Sequence, residues 1–433
     1  ALVALVLSGI PLLAQMGLVA AGTVAVAVLV ALTFSPALLR IMGTRVVSRR
    51  GWRAAGFTTP GEVSTRVVTE DQHEEEHGGW YVRLITRRPW LTVLGVVALV
   101  GIIAFPALDL RLGLPGGGNE PADSTAYRAY AATAQAFGPG MNGPVIVVAD
   151  LPGTPTQEQV SATQAHLATS LAAVDGVEHV VPFGTSADHR TLAFQVAPST
   201  GPAEAQTVTT VHALLDSASS IGASTGTTIG LTGQTVANIE ISERLAAALP
   251  TYLLVVVGLS LLILTAVFRS VVVPLVATAG FLLSVATAFG ATVMVYQWGW
   301  LGSIFGVHDP GPILSFMPIM LIGVLFGLAM DYQMFLVSGM REAWSHGEDA
   351  RTAVRSGFTH GAKVVTAAAV IMFAVFGGFV FSHLTMIRPM GFGLAVGVLT
   401  DAVLVRMTLT PAVMHLLGER AWYMPGWLDR LTP

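Results

Sequence analysis

The chain has 433 residues, of which 53% are apolar and 11% charged, with a formal net charge of −4. Globular chains carry about a quarter charged residues, so this complement is too small to cover a soluble surface of that size. The near balance of 22 basic and 26 acidic groups excludes a large cationic nucleic-acid face. With no cysteine, disulfides and thiol chemistry are excluded, and with Lys363, followed by Val364, as the single lysine, so is a Walker A loop.

Crossing the ~30 Å hydrocarbon core of a bilayer takes about 20 apolar residues. Residues 1–13 are apolar but reach only about 20 Å at ~1.5 Å per residue, which reads as a cut span. No cationic region precedes them, so they do not read as a signal peptide. The first full candidate span is 17–39. Segment 44–88 is polar and mixed in charge, with the acidic run Glu74, Glu75 and Glu76, and reads as a partly disordered linker. A second span follows at 91–108.

Segment 109–248 patterns as a folded domain. Helical stretches near 124–137, 156–173 and 203–219 alternate with strand-like runs at 144–150, 177–183, 191–197 and 227–233. The order β-α-β-β-α-β predicts a ferredoxin-like split βαβ unit. Residues 234–249 read as a helix entering a span at Pro250. Spans then follow at 250–268, 271–296, 312–338, 364–382 and 390–415, so 249–418 is a five-helix bundle with a tail at 419–433.

Orientation follows from the cations. Sixteen of the 22 fall on one side, in 40–90, at Arg269, from Arg341 to Lys363, and at Arg420 and Arg430. That side is read as cytoplasmic, which makes 44–90 a cytoplasmic linker, 419–433 a cytoplasmic tail and 109–248 extracytoplasmic. The expected location is the plasma (inner) membrane, with many passes.

Residues 16–43 and 390–418 repeat one another. Met16, Gly17, Thr33, Pro36, Ala37 and Gly43 fall on Met390, Gly391, Thr408, Pro411, Ala412 and Gly418. A repeat offset by about 375 residues predicts two parallel halves. Residues 1–43 would then be the last two transmembrane helices of a truncated first half, and that missing half would be the chain's main partner.

Only Asp331, Asp401 and Arg406 fall well inside spans. A centred Asp or Arg costs ~2.5–3.5 kcal/mol to insert, so each needs a partner, water or a function. Asp331 adjoins Tyr332, and burial favours a protonated carboxyl that can exchange its proton when water enters, which suits a proton relay. Asp401 and Arg406 lie five residues apart, about 140° net around an α-helix, and so on different faces, although side chains this long can still bridge. Arg406 could snorkel towards the cytoplasmic end, and both charges read as supporting. His383 reads as interfacial. Gly323 and Gly327, like Gly393 and Gly397, have the G-x-x-x-G spacing of close helix packing.

Two motif matches fail on context. "HEEEH" (73–77) satisfies the zinc-protease pattern but sits in an acidic linker, so no metal site is expected. "GASTG" (222–226) lies between a helix and a strand, the reverse of a nucleophile elbow around Ser224.

At "GLAMDYQMFLVSGMREAW" (327–344) the chain resembles the MmpL family of the resistance–nodulation–division (RND) superfamily. Similar blocks are "FGPGMNGPVIVV" (137–148), "LTGQTVANIEISERLAAALP" (231–250), "VVTAAAVIMFAVFGGFVF" (364–381) and "GVLTDAVLVRMTLTPAVMHLLG" (397–418). The resemblance implies two six-helix halves, each with an extracytoplasmic porter domain, here 109–248. It also implies proton flow through Asp–Tyr pairs, here Asp331 and Tyr332, with protons as the coupling ion and no other cofactor. The expected activity is proton-driven export of lipids or other hydrophobic compounds by a secondary transporter, with no enzymatic chemistry. The alternative is a non-transporting lipid-sensing receptor or protein-export accessory. Oligomeric state is left open, with a homo-oligomer as one option.

Overall fold

The computed structural model describes residues 3, 6, 11–43, 79–114, 116–382 and 384–429. The acidic linker with "HEEEH", the interfacial histidine at 383 and the last four residues of the tail lie outside the described residues. Among those described, seven helices are long and apolar enough to cross a membrane, so the chain is a polytopic α-helical membrane protein.

Helix α1 (Pro11–Met42) is continuous through the expected break at 14–16 and through Pro36, and it is exposed along nearly its whole length. Residues 79–87, read as the end of the linker, form an amphipathic helix instead, α2 (Gly79–Arg87). Its Val82 and Ile85 are buried, and the Tyr81 hydroxyl lies 2.8 Å from that of Thr408. The spacing of Tyr81, Val82 and Ile85 puts one apolar stripe against the bundle, which fixes this turn of chain. Helix α3 (Pro89–Ala104) then makes the second span.

The domain that follows is built on a four-stranded antiparallel sheet. Strands β2 (Val145–Asp150), β3 (Val177–Thr185), β4 (Thr191–Pro198) and β5 (Thr228–Thr232) lie in the order β3-β4-β2-β5. Val147 sits between Phe194 and Leu231 of its two neighbours. Helix α4 (Thr125–Phe137) precedes β2, α5 (Gln157–Ala172) joins β2 to β3, and α6 (Ala205–Thr225) joins β4 to β5. Alternate residues of the central strands (Val145, Val147, Ala149; Leu192, Phe194, Val196) are buried against Leu167 and Leu171 of α5 and Val211 and Leu214 of α6. That alternation is the period of two expected of a half-covered sheet. Thr156 and Gln159 form a capping box at the start of α5. Gly226, at φ +67°, ends α6 in the left-handed conformation that glycine adopts without strain. "GASTG" is therefore a helix end, and Ser224 Oγ is spent on the Ile221 carbonyl.

Helix α7 (Gln234–Phe268) leaves this domain and runs through Pro250 into the bundle without interruption. Helix α8 (Val272–Thr292) ends in a π-helical turn, Val293–Gln297. The next expected span begins late: Ile313–Leu314 (β6) pairs in parallel with Leu112–Gly113 (β1), and helix α9 starts only at Met317, running to Ser345. Helix α10 (Ala350–Val380) returns, and α11 (Ile387–Leu399) passes into a ten-residue π-helix, Thr400–Leu409, before α12 (Thr410–Leu417).

The bundle core joins Tyr252 of α7, Phe281 and Val285 of α8, Leu321 and Leu325 of α9 and Leu394 of α11. At the end away from the sheet domain, the Arg341 guanidinium lies 5.1 Å and 5.4 Å from the rings of Trp344 and Trp422, which stack on each other. Where α9 crosses α10, a Cβ on Gly357 would lie 2.3 Å from the Met340 amide nitrogen. Only glycine permits that approach of two backbones.

Candidate functional site

Three elements bring polar side chains together inside the bundle. Ser284 comes from α8, Tyr332 and Gln333 from α9, and Asp401 and Arg406 from the π-helix. Arg406 is 0% exposed, Gln333 1% and Asp401 3%. Arg406 Nε donates to both Asp401 oxygens, at 3.2 Å and 3.3 Å, and Nη1 donates to Gln333 Oε1. The Ser284 hydroxyl lies 3.3 Å from Asp401 Oδ1 and 3.1 Å from the Gly280 carbonyl. Taking two charges out of water costs several kcal/mol per ion, so the pair is tolerable only because each charge has the other and further hydrogen bonds.

This arrangement overturns the expectation that Asp401 and Arg406 occupy different faces. That expectation assumed α-helical geometry; a π-helix closes i→i+5, which stacks residues five apart one above the other. Nor does Arg406 snorkel, since its guanidinium is enclosed. The first copy of the repeat makes the contrast: Val26 and Ala31, in place of the charges, lie in an unbroken α-helix.

Asp331 and Tyr332 part company. Adjacent α-helical residues point about 100° apart. Tyr332 turns inward and is 4% exposed. Asp331 is exposed, on a stripe with Gly327, Met334, Phe335 and Ser338, the spacing of one helix face. The described residues therefore do not bury it. The inward cluster retains unspent capacity: Tyr332 OH, Gln333 Nε2 and Arg406 Nη2 are buried with no partner among the described residues.

The glycines also divide. A Cβ on Gly393 or Gly397 would come within 2.7 Å and 2.6 Å of Leu321 and Leu325 side-chain atoms on α9. Gly323 is buried, whereas Gly327 meets nothing within 4 Å. Between the sheet domain and the loop before α9 lies a cleft of about 1110 Å³, lined by Arg111, Tyr130, Glu204, Glu243 and Asp309 among others. Burial, then the neighbouring Glu204, pushes the Asp309 carboxyl above its ordinary range; burial, then Asp309 and Glu204, raises the Tyr130 phenol. Among the described residues no three His, Asp or Glu side chains gather as a metal site.

The MMPL family model matches residues 1–92 and 119–431. The chain belongs to the MMPL family. It is 39% identical to the membrane protein YdfJ of Bacillus subtilis, over 100% of this chain and 57% of that protein. It is 29% identical to the mycolic acid-containing lipids exporter MmpL11 of Mycolicibacterium smegmatis, over 98% of this chain and 43% of the relative. It is 34% identical to the trehalose monomycolate exporter MmpL3 of Mycobacterium tuberculosis, over 48% of this chain and 22% of that protein. The chain thus spans about half the length of the curated relatives that match all of it, and MMPL/RND membrane transporters are its homologues.

Gln333 and Ser284 were not singled out from sequence. Gln333 could have been, as an amide two residues beyond Asp331 inside an apolar span; Ser284 carries no such signal, because serine bonds to its own helix in many spans.

Proposed function

We propose that this MMPL chain forms the second half of a proton-driven exporter of lipids or other hydrophobic compounds. The carrying observation is the buried Asp401–Arg406–Gln333 cluster, with Tyr332 facing inward from the same helix as Gln333 and its neighbour Asp331 carrying a carboxyl on an exposed apolar stripe. In hydrocarbon an unpartnered carboxylate is untenable, so the stripe calls for a covering element, and a preceding half supplies it. Asp331 takes a proton at that junction. Tyr332 relays the change in charge to Asp401, whose hold on Arg406 and Gln333 sets the packing of the π-helix against α9. Glycine at 393 and 397 keeps α11 close enough to α9 and α8 for that packing to respond.

The sheet domain is read as an extracytoplasmic porter of ferredoxin-like topology; its strand order and its two crossing helices support that reading. The cation distribution supports a cytoplasmic C-terminus. Substrate passes along the cleft beneath the sheet domain, and MMPL relatives named as lipid exporters support the substrate class.

The test is Asp331→Asn in the full-length protein in proteoliposomes under a proton gradient. Lipid export and proton flux both stop while insertion is unchanged. Transport at the wild-type rate would eliminate the relay, and lipid binding with no flux in the wild type would favour the sensor.

A further inference from the structure

The two copies of the internal repeat differ by one residue and by one kind of helix. Met16 and Gly17 fall on Met390 and Gly391, and Thr33 and Pro36 on Thr408 and Pro411, but the second copy holds one residue more between Gly391 and Thr408. The first copy is α-helical throughout, in α1, whereas the second turns π-helical at Thr400–Leu409, within that same interval apart from its last residue. The matching threonines record the difference. The Thr33 hydroxyl donates to the Leu29 carbonyl, four residues back, at 2.6 Å; the Thr408 hydroxyl donates to the Val403 carbonyl, five residues back, also at 2.6 Å. An extra residue in an unbroken α-helix would turn everything beyond it by about 100°, whereas turns widened to i→i+5 take it up.

A π-helix is the rarer form and persists only where something holds it. Here the charges do so. Arg406 Nε reaches both Asp401 oxygens from five residues away, a spacing that a π turn closes and an α turn splays by about 140°. Asp401 and Arg406 are the only fully buried charges among the described residues. The first copy, with Val26 and Ala31 in their places, has no pair to close and stays α-helical. Around the π-helix, α8 brings Ser284, α9 brings Gln333 with Tyr332 next to it, α10 brings Thr366 to Met407, and α3 brings apolar Val96 and Val100 to Leu409. Arg406 is therefore the one buried charge that balances Asp401.

We infer that Thr400–Leu409 is a two-register switch, π-helical while Asp401 and Arg406 are paired and α-helical once Asp401 loses its charge. The inference rests on the function proposed above only for what neutralises Asp401 during transport. In the α register, α12 turns by about 100° relative to α11, which Gly393 and Gly397 keep against α9. Thr408 then leaves the Tyr81 hydroxyl that it meets at 2.8 Å, and Met414 leaves the cluster it shares with Val82 and Trp422. The change of register is thereby passed to α2, at the end of the bundle away from the sheet domain.

The experiment is cryo-electron microscopy of the full-length protein in two apolar double variants. Asp401→Val with Arg406→Ala installs the residues of the first copy; Asp401→Leu with Arg406→Met keeps more of the side-chain volume and guards against a first variant that does not fold. Both show residues 400–409 as α-helix, with the Thr408 hydroxyl on the Leu404 carbonyl and the contact with Tyr81 lost. The Cα atoms of α12 shift by about 3.5 Å, the chord of a 100° turn at a radius of ~2.3 Å. Thr408→Val, which removes the bond to Val403 and keeps both charges, stays π-helical. A π-helix retained in either double variant, Thr408 still against Tyr81 in them, or an α-helix in Thr408→Val would each overturn the proposal. The readout needs neither gradient nor substrate, so a π-helix kept without the charges fails this switch alone, and export by Asp331→Asn fails the relay alone.

Discussion

Removing Arg406 alone is the sharpest perturbation of the bundle. Arg406→Met deletes the two contacts to Asp401 at 3.2 Å and 3.3 Å and the bond to Gln333, and leaves a carboxylate 3% exposed with one serine hydroxyl for company. Breaking a buried pair from one side costs about 3–5 kcal/mol, or roughly two to four powers of ten in the folded-to-unfolded ratio. Asp401→Leu with Arg406→Met removes the orphaned charge, so the remaining cost is mainly the stranded Gln333 amide, about 1–3 kcal/mol. Adding Gln333→Leu brings the protein back near wild-type stability, because an apolar replacement of a whole buried polar group is close to neutral. The assay is equilibrium unfolding of the four proteins in one detergent, followed by tryptophan fluorescence. Stability that falls further with each added substitution would refute the cluster as an interdependent, desolvated unit.

Tyr332→Phe removes a buried hydroxyl that has no partner among the described residues, so stability holds or rises slightly while proton-coupled export by the full-length protein falls at least about tenfold; calorimetry and a flux assay read the two effects. Gly357→Leu forces α9 and α10 apart and costs about 1–3 kcal/mol, seen as a lower unfolding midpoint and faster proteolysis between 345 and 350. Asp309→Asn tests pH linkage. A carboxyl whose folded pKa is raised weakens the fold as pH climbs from the unfolded value, about 3.9, through the folded one. Asn removes that loss, so the variant is the more stable at neutral pH and its advantage vanishes as pH falls towards 4, measured by melts across that range.

Much of this structure was legible because membrane and sheet impose strong periods on the chain. The gaps between charges located the spans, and the two-residue alternation of "VIVVAD" and "TLAFQVA" located two central strands. The site was legible as residue types and illegible as geometry. Asp401 and Arg406 stood out by charge, but their contact depends on a helical register that local hydropathy does not encode. Gln333 meets Arg406 from 73 residues away, and Ser284 meets Asp401 from 117, so neither contact has a local signature. Helix α2 was hidden differently: nine residues with one apolar stripe at the end of a polar linker fall short of a span, and only the bundle gives them something to pack on.

The most direct measurement of the central claim is infrared difference spectroscopy on full-length protein, comparing the carboxylic acid C=O band under inward and outward proton gradients, with Asp331→Asn as the subtraction. Our account predicts a band that appears and disappears with the direction of the gradient and is missing from the variant. A band at Asp331 that stays constant under both gradients while lipid is being exported would contradict it.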